Sequence, residues 1–237
     1  MKLLKLKVFI VFVEFLAWND YSELQCQAAC LLKNMSAGTS ENTKIIVDCG
    51  AVPVFVKLLQ SSQLCEAAWA LGNIAGDSHE CRDVVLNNGA LQPLLALLKE
   101  RTYIYFLRIG TWALSNFLEG KPEVPPEQLE SAIPILSSVI LRQDELVQKE
   151  ACWALFLSFS VWRYNPSTVL IHAVRALKCI VKGAEKLDED DKNSTYDPKA
   201  APKILIAKQM VMANKEPPNL KLDSGSTLGA RPAQGPC

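Results

Sequence analysis

The segment AAWALGN at residues 67–73 is the most informative part of the sequence, because its pattern recurs along the chain at a nearly constant spacing. Residues 110–116 read GTWALSN and residues 151–157 read ACWALFL, so a tryptophan returns about every forty residues. A period of this length is typical of a protein in which each repeat packs on its neighbours. We therefore expect a repeat array.

A second motif precedes each tryptophan motif and defines the rest of the unit. The segments GAVPVFVKLL, GALQPLLALL and SAIPILSSVI begin at Gly50, Gly89 and Ser131. Each has a proline near its start, which the first turn of a helix tolerates, and a short helix such as residues 43–48 ends just before the first of them. Three helices in about forty residues predict an armadillo repeat, and strand signals are nearly absent.

The predicted fold is all-α, an armadillo-repeat α-solenoid of roughly four units with a partial, shortened fifth. We expect the array at residues 1–183, and its last unit arrives about twenty residues sooner than the period requires. Residues 184–237 are rich in charged residues, proline, glycine and serine. They predict a divergent, largely disordered tail with one short helix near residues 203–215.

Composition excludes several classes of function. The chain has 237 residues and a formal net charge of zero, which gives no case for binding nucleic acid. Its eight cysteines are scattered without a CxxC pair and it has two histidines, so packed, reduced thiols are favoured over a zinc site. No phosphate-binding loop or nucleophile motif occurs, and the sequence predicts no metal, no cofactor and no enzyme activity.

The N-terminus reads MKLLKLKVFIVFVEFLAW, with lysines ahead of an apolar run. Glu14 interrupts this run after residue 13, and the run is far shorter than the about 20 residues that span a bilayer. No small-residue cleavage pattern follows it. A core helix of the first repeat is therefore favoured over a signal peptide, and no membrane partner is expected.

The predicted helix at residues 66–77 has two different faces. Trp69, Asn73 and Asp77 follow one another at intervals of four residues and share one face. Leu71 and Ile74 lie on the opposite side, which we expect to be buried. Asparagine is a mediocre helix former, so its recurrence four residues after a tryptophan indicates a specific role.

These ordered motifs carry a resemblance to a known family. LQCQAACLLKNMSAGTSENTK, AAWALGNIAGDS, GTWALSNF and ACWAL closely resemble the armadillo core of importin-alpha, the cytosolic receptor for nuclear localisation signals. The likeness covers about three quarters of the chain, from near Val8 to Gly183. It implies a concave groove lined by the third helices, in which asparagines clamp the main chain of an extended peptide and tryptophans flank its lysine stems.

The resemblance also assigns peptide-binding residues in this sequence. The set consists of the paired tryptophans and asparagines and a few neighbouring residues: Asn34, Gly38, Thr43, Trp69, Asn73, Asp77, Trp112, Asn116, Glu150 and Trp153. Trp69 with Asn73 and Trp112 with Asn116 form two complete rungs of the groove. A pocket for one lysine ammonium is expected from the carbonyl of Gly38, the hydroxyl of Thr43 and the carboxylate of Asp77.

The sequence departs from the family at several groove positions. Cys30 stands where relatives have the first tryptophan, and Leu157 stands where a tyrosine is usual. Ile109 replaces an asparagine and Glu119 replaces a basic residue. Because Cys30 replaces that tryptophan, one lysine slot has lost a wall.

Simpler interpretations of the same residues stay open. Tryptophans at helical spacing are often core residues, and a threonine near the start of a helix is often an N-cap, which would explain Thr43. Gly38 would then only end its helix, and Glu150 would belong to a solvated face.

The resemblance implies a nuclear import adaptor, cytoplasmic and nuclear, that binds the lysine-rich nuclear localisation signals of cargo proteins. No arginine- and lysine-rich segment like the family's importin-beta-binding region precedes Val8, which argues against binding to importin-beta. The alternative function is that of an armadillo scaffold or a degenerate, truncated paralogue without signal binding.

Overall fold

The computed structural model describes residues 2–120, 124–129, 131–142 and 144–161. Within these ranges the regular structure is helical and no strand occurs, which confirms the all-α prediction. The helices are, in chain order, α1 (Lys2–Leu16), α2 (Ser22–Ser36), α3 (Ser40–Asp48), α4 (Ala51–Leu58), α5 (Leu64–Asp77), α6 (His79–Asn87), α7 (Leu91–Glu100), α8 (Ile104–Leu118), α9 (Pro126–Leu129), α10 (Ala132–Val139) and α11 (Glu145–Val161).

The helices group into the predicted three-helix units. Helices α3, α4 and α5 form one unit, α6 to α8 the next, and α9 to α11 a third, while α1 and α2 correspond to the last two helices of a preceding unit. The third helices, α2, α5, α8 and α11, pack side by side in that order. The predicted shortened fifth unit and the tail lie outside the described residues.

Neighbouring third helices run parallel to one another. At the start of α5, Gln63 Nε2 donates to the carbonyl of Ser22 at the start of α2, at 3.5 Å. Near the other end of the same two helices, Asn73 Nδ2 donates to the carbonyl of Lys33 at 3.1 Å. Side chains at the same repeat position therefore lie next to each other along the row of third helices.

Hydroxyl side chains begin the first helix of two units. Thr39 is the N-cap of α3, and its Oγ1 accepts a hydrogen bond from the backbone N–H of Asn42. Ser78 is the N-cap of α6, and its Oγ accepts a hydrogen bond from the backbone N–H of Cys81. Helix α3 thus begins at Ser40 and not at residue 43. The interpretation of Thr43 as an N-cap is wrong, because Thr43 lies one turn inside the helix.

Glycine and proline define the step from the first to the second helix of a unit. Gly50 and Gly89 have φ values of 77° and 76°, a left-handed conformation that favours glycine. Pro53, Pro93 and Pro134 each occupy the third position of their helix, where the backbone N–H has no partner within the helix. The predicted placement of the prolines in the first turn is confirmed.

The buried apolar residues lie along the contacts between neighbouring helices, and each such contact between two helices is called a seam below. Leu71 and Ile74 of α5 are fully buried, which confirms the predicted inner face of this helix. Burying one such side chain contributes about 1.5–3 kcal/mol relative to leaving it exposed. Because each unit contacts mainly its neighbours, the stability of the array accumulates seam by seam.

Helix α1 packs on α2 and α4 with only one of its sides. Phe9, Val13 and Leu16 are buried, as expected of a core helix, while Val8 and Val11 are exposed. Among the residues that the structure describes, no helix is long and apolar enough to cross a membrane.

The described cysteines are all free thiols: Cys26, Cys30, Cys49, Cys65, Cys81 and Cys152. Burial raises the pKa of Cys152 to about 12, so this thiol stays protonated at neutral pH. In the described part of the chain, no three His, Cys, Asp or Glu side chains are grouped closely enough to hold a metal ion.

Candidate functional site

The two asparagines of the complete rungs make the same hydrogen bond one unit apart. Asn73 Nδ2 on α5 donates to the carbonyl of Lys33 on α2 at 3.1 Å, and Asn116 Nδ2 on α8 donates to the carbonyl of Gly72 on α5 at 3.0 Å. Lys33 and Gly72 each stand directly before the asparagine position of their own helix. The repeated bond fixes the register between neighbouring third helices.

The amide of Asn73 is buried and has one group unpaired. Its side chain is 5% exposed, and Nδ2 also lies 3.3 Å from Ser36 Oγ. The carbonyl of Lys33 can only accept a hydrogen bond, which fixes the NH₂ group on that side of the amide. Asn73 Oδ1 is then left as a buried acceptor without a protein partner.

The three repeated tryptophans differ in their surroundings. Trp69 is half-buried against the core. Trp112 is only 8% exposed, and its ring lies across Gly72, where an added Cβ would approach Cζ3 to 2.5 Å. Trp153 is half-buried, and its Nε1 donates to Glu119 Oε2 at 3.4 Å. Trp112 therefore contributes chiefly to packing, whereas Trp69 and Trp153 keep partly accessible rings.

The residues of the expected lysine pocket have unequal access to solvent. Gly38 follows α2 and Asp77 ends α5, so both lie at the same end of these parallel helices, and Asp77 is half-buried. Thr43 is fully buried, with its Oγ1 at 3.4 Å from the carbonyls of Ser36 and Thr39. The hydroxyl of Thr43 thus supports the turn between α2 and α3, and a role of this group in binding lysine stays a prediction.

Acidic side chains lie on the seam between α8 and α11. The buried Ser115 Oγ donates to Glu150 Oε2 at 2.8 Å, and Glu119 accepts from Trp153. Glu150 therefore does not belong to a fully solvated face. Asn34, the asparagine of the first rung, is exposed on α2.

Sequence reasoning missed the side chains that hold these elements in place. Ser36 contacts the Asn73 amide, and its carbonyl accepts from Thr43. Arg82 is 1% exposed and donates from Nη1 to the carbonyl of Glu119 at 2.8 Å. Helical periodicity could have placed Arg82 on an inner face, but no pattern indicated its partner at the end of α8, in the same unit.

Comparison with known proteins supports the armadillo fold. The armadillo/beta-catenin-like repeat family matches residues 39–76, the segment that contains α3, α4 and most of α5. An engineered protein of known crystal structure has a TM-score of 0.61 and 28% identity, over 86% of this chain and 81% of that one. A designed armadillo repeat protein in complex with the peptide (KR)4 has a TM-score of 0.57 and 22% identity over 90% and 93% of the two chains, and it supports the fold alone.

The curated relatives decide the family. Importin subunit alpha-2 of Arabidopsis thaliana is 54% identical over 147 residues, which cover 61% of this chain. Importin subunit alpha-1b of Oryza sativa subsp. japonica is 51% identical over the same length, and importin subunit alpha-3 of Arabidopsis thaliana is 40% identical over 216 residues, or 81% of this chain. The armadillo array belongs to the importin-alpha family.

This importin-alpha array spans only part of the length of its relatives. The matched residues cover 28% of importin subunit alpha-2 and 40% of importin subunit alpha-3. The described part of the array contains four third helices in a row. Two of them, α5 and α8, carry a complete Trp/Asn pair.

Proposed function

We propose that the array binds lysine-rich nuclear localisation signals in extended form along its third helices, as an import adaptor of the cytoplasm and the nucleus. Membership in the importin-alpha family supports a binding role, since neither importin-alpha nor armadillo proteins are enzymes. The observation that carries the proposal is the buried, unpaired Oδ1 of Asn73 in the middle of the row.

An unpaired buried acceptor favours a ligand that supplies an N–H group. Leaving such an acceptor unsatisfied costs about 1–3 kcal/mol, so a donor that reaches Asn73 Oδ1 recovers part of this cost. Every residue of a peptide except proline carries a backbone N–H. A peptide main chain therefore matches this acceptor whatever its side chains are.

The spacing of the third helices suits an extended peptide. Packed helices lie about 8–10 Å apart, and an extended chain advances about 3.3 Å per residue. About three peptide residues thus separate the rung on α5 from the rung on α8. An extended segment would meet equivalent side chains at regular intervals.

The charges near the rungs favour basic ligand residues. Asp77 ends α5, and the carboxylates of Glu119 and Glu150 lie on the next seam. The ring of Trp69 has the ammonium of Lys33 over it, so an indole at this repeat position attracts a cation, and Trp153 places a half-buried ring at the same position of α11. Carboxylates and accessible indole rings together select lysine over neutral side chains.

A scaffold without signal binding is the second candidate. The observation that favours it is the burial of Trp112, which fills space over Gly72 and presents little ring surface. In this case the tryptophans would serve the seams between units, and no basic peptide would bind with a defined stoichiometry.

Titration of a fluorescently labelled heptalysine peptide against the full chain separates the two candidates. We expect saturable binding that weakens with salt, and about five- to tenfold weaker binding by Asn73→Ala, since one hydrogen bond is lost. Asn87→Ala removes an exposed amide elsewhere and serves as the control. This control should bind as the wild type does. Absence of saturable binding at low salt, or equal affinity of Asn73→Ala, would contradict the proposal.

A further inference from the structure

Lys33 of α2 lies on the ring of Trp69 of α5. Its Nζ is 4.7 Å from the ring centroid, within the distance of about 6 Å at which a cation is attracted to an aromatic face. Both side chains are half-buried. The chain thus places an ammonium of its own where a ligand lysine would contact this tryptophan.

The tryptophan of the next unit has a different neighbour at this position. Gly72 takes the place in α5 that Lys33 takes in α2, one residue before the asparagine position. The ring of Trp112 lies so close to Gly72 that any side chain there would overlap with it. In one seam the tryptophan therefore packs directly on backbone, and in the other it is met by a lysine.

Cys30 lies beside this contact and places a small side chain where the later units have a tryptophan. Cys30 stands four residues before Asn34, the place that tryptophans occupy in the later units. Burial raises the pKa of Cys30, while the nearby ammonium of Lys33 lowers it and the carboxylate of Glu66 raises it. Lys33, Cys30 and Glu66 are thus neighbours in the space between the first two rungs.

The main chain at Lys33 is held in place from both sides. Its carbonyl accepts from Asn73 Nδ2 at 3.1 Å and from Ser36 Oγ at 2.7 Å. The side chain therefore starts from a fixed point beside Trp69, and only the torsions of its own stem have to be ordered for the ammonium to stay over the ring.

We propose that Lys33 is a specificity-determining residue that occupies the Trp69 ring from within the chain, so that the slot between the first two rungs takes an uncharged ligand residue. This inference rests on the proposed function, since it concerns how many lysines of a ligand the groove binds. The groove then binds one ligand lysine fewer than an array in which the first slot is open.

The test measures how affinity grows with the number of consecutive lysines. Peptides with between about three and six lysines in a constant alanine frame are titrated against the wild type, Lys33→Met and Lys57→Met at constant ionic strength. Lys33→Met keeps the aliphatic stem and removes the ammonium, and Lys57→Met removes an equal charge from an exposed position on α4. Counting lysines avoids any dependence on the register in which the peptide binds.

We expect the affinity of the wild type to stop rising one lysine earlier than that of Lys33→Met. For the longest lysine run, Lys33→Met should bind about three- to tenfold more tightly than the wild type, whereas Lys57→Met should change affinity less than about twofold. Lys33→Gln should behave as Lys33→Met does, and it serves as the test if Lys33→Met fails to fold.

Two results would overturn the inference, and they differ in what else they overturn. If Lys33→Met and the wild type reach their plateau at the same lysine number, Lys33 has no such role, although peptide binding stands. If no peptide binds to any variant that retains its helical circular dichroism, the proposed function fails together with the role of Lys33.

Discussion

At the scale of single residues, Gly72 determines how closely α5 and α8 approach each other. A Cβ at this position would lie 2.5 Å from Cζ3 of Trp112 and 3.1 Å from Cβ of Ala113. Both distances are shorter than ordinary contacts, and the Trp112 ring is buried and cannot swing away freely. Glycine is therefore required here by the neighbouring helix, although it weakens α5 itself.

Gly72→Ala is expected to lower the free energy of unfolding by about 1–2 kcal/mol. Overpacking costs about 1–3 kcal/mol and outweighs the gain of up to about 1 kcal/mol in helix propensity. Urea titration followed by circular dichroism measures the change. In a Trp112→Leu background the same alanine should be neutral or stabilising, because the ring it meets is gone. A Gly72→Ala protein that is more stable than the wild type would contradict this packing.

The contacts of individual side chains were the hardest feature to predict from the sequence. The spacing of Trp69, Asn73 and Asp77 placed them on one face, but it did not reveal that the Asn73 NH₂ group is engaged by α2. Thr43 was expected to present its hydroxyl to a ligand, and the structure buries it. Such contacts depend on the register between helices that are about forty residues apart in sequence, which periodicity within one helix does not encode.

At the scale of elements, an ion pair joins α8 to the start of α11. Arg108 donates from Nη2 to Asp144 Oδ2 at 2.7 Å and from Nε to both carboxylate oxygens at 3.2 and 3.1 Å. Asp144 Oδ1 also accepts from the backbone N–H of Val147 at 3.1 Å, as an N-cap residue does. Hydrogen bonds from Arg108 are the main reason that the pKa of Asp144 is lowered.

Asp144→Asn should destabilise the array by about 0.5–1 kcal/mol at pH 7, because asparagine keeps the cap and loses the charge, and the pair is partly exposed. A lowered pKa in the folded state gives stability that is complete above the unfolded pKa of about 3.9 and is lost as pH falls through the folded pKa. The difference between the two proteins should therefore shrink below about pH 4.

Thermal unfolding of both proteins between neutral and acidic pH measures this dependence. Asp48→Asn changes an exposed carboxylate at the end of α3 and serves as the control. A difference between Asp144→Asn and the wild type that is the same at neutral pH and well below pH 4 would be inconsistent with the ion pair.

The order of elements was predictable, and their boundaries were less so. Three tryptophan motifs, the glycines at 50 and 89 and the prolines in the first turns identified the three-helix unit and its period. Helix α3 begins three residues earlier than expected, since Thr39 competes with Thr43 as a cap and only the geometry separates them.

At the scale of the whole molecule, the described chain is a row of parallel third helices bonded in one register. Asn73 and Asn116 repeat the same interhelical bond, and Lys33 breaks the repeat in the first seam. A ligand that follows the row would meet a side-chain acceptor for its backbone N–H groups, Asn73 Oδ1, at α5 and carboxylates towards α11. Peptide binding as proposed therefore uses several third helices at once.

A crystal structure of the full chain with a lysine-rich peptide would show where the ligand lies. We expect an extended peptide across α2, α5 and α8, with a backbone N–H within hydrogen-bonding distance of Asn73 Oδ1 and a lysine ammonium near Asp77. A peptide bound on the side of α4 and α7, or one that leaves Asn73 Oδ1 without a donor, would contradict this expectation.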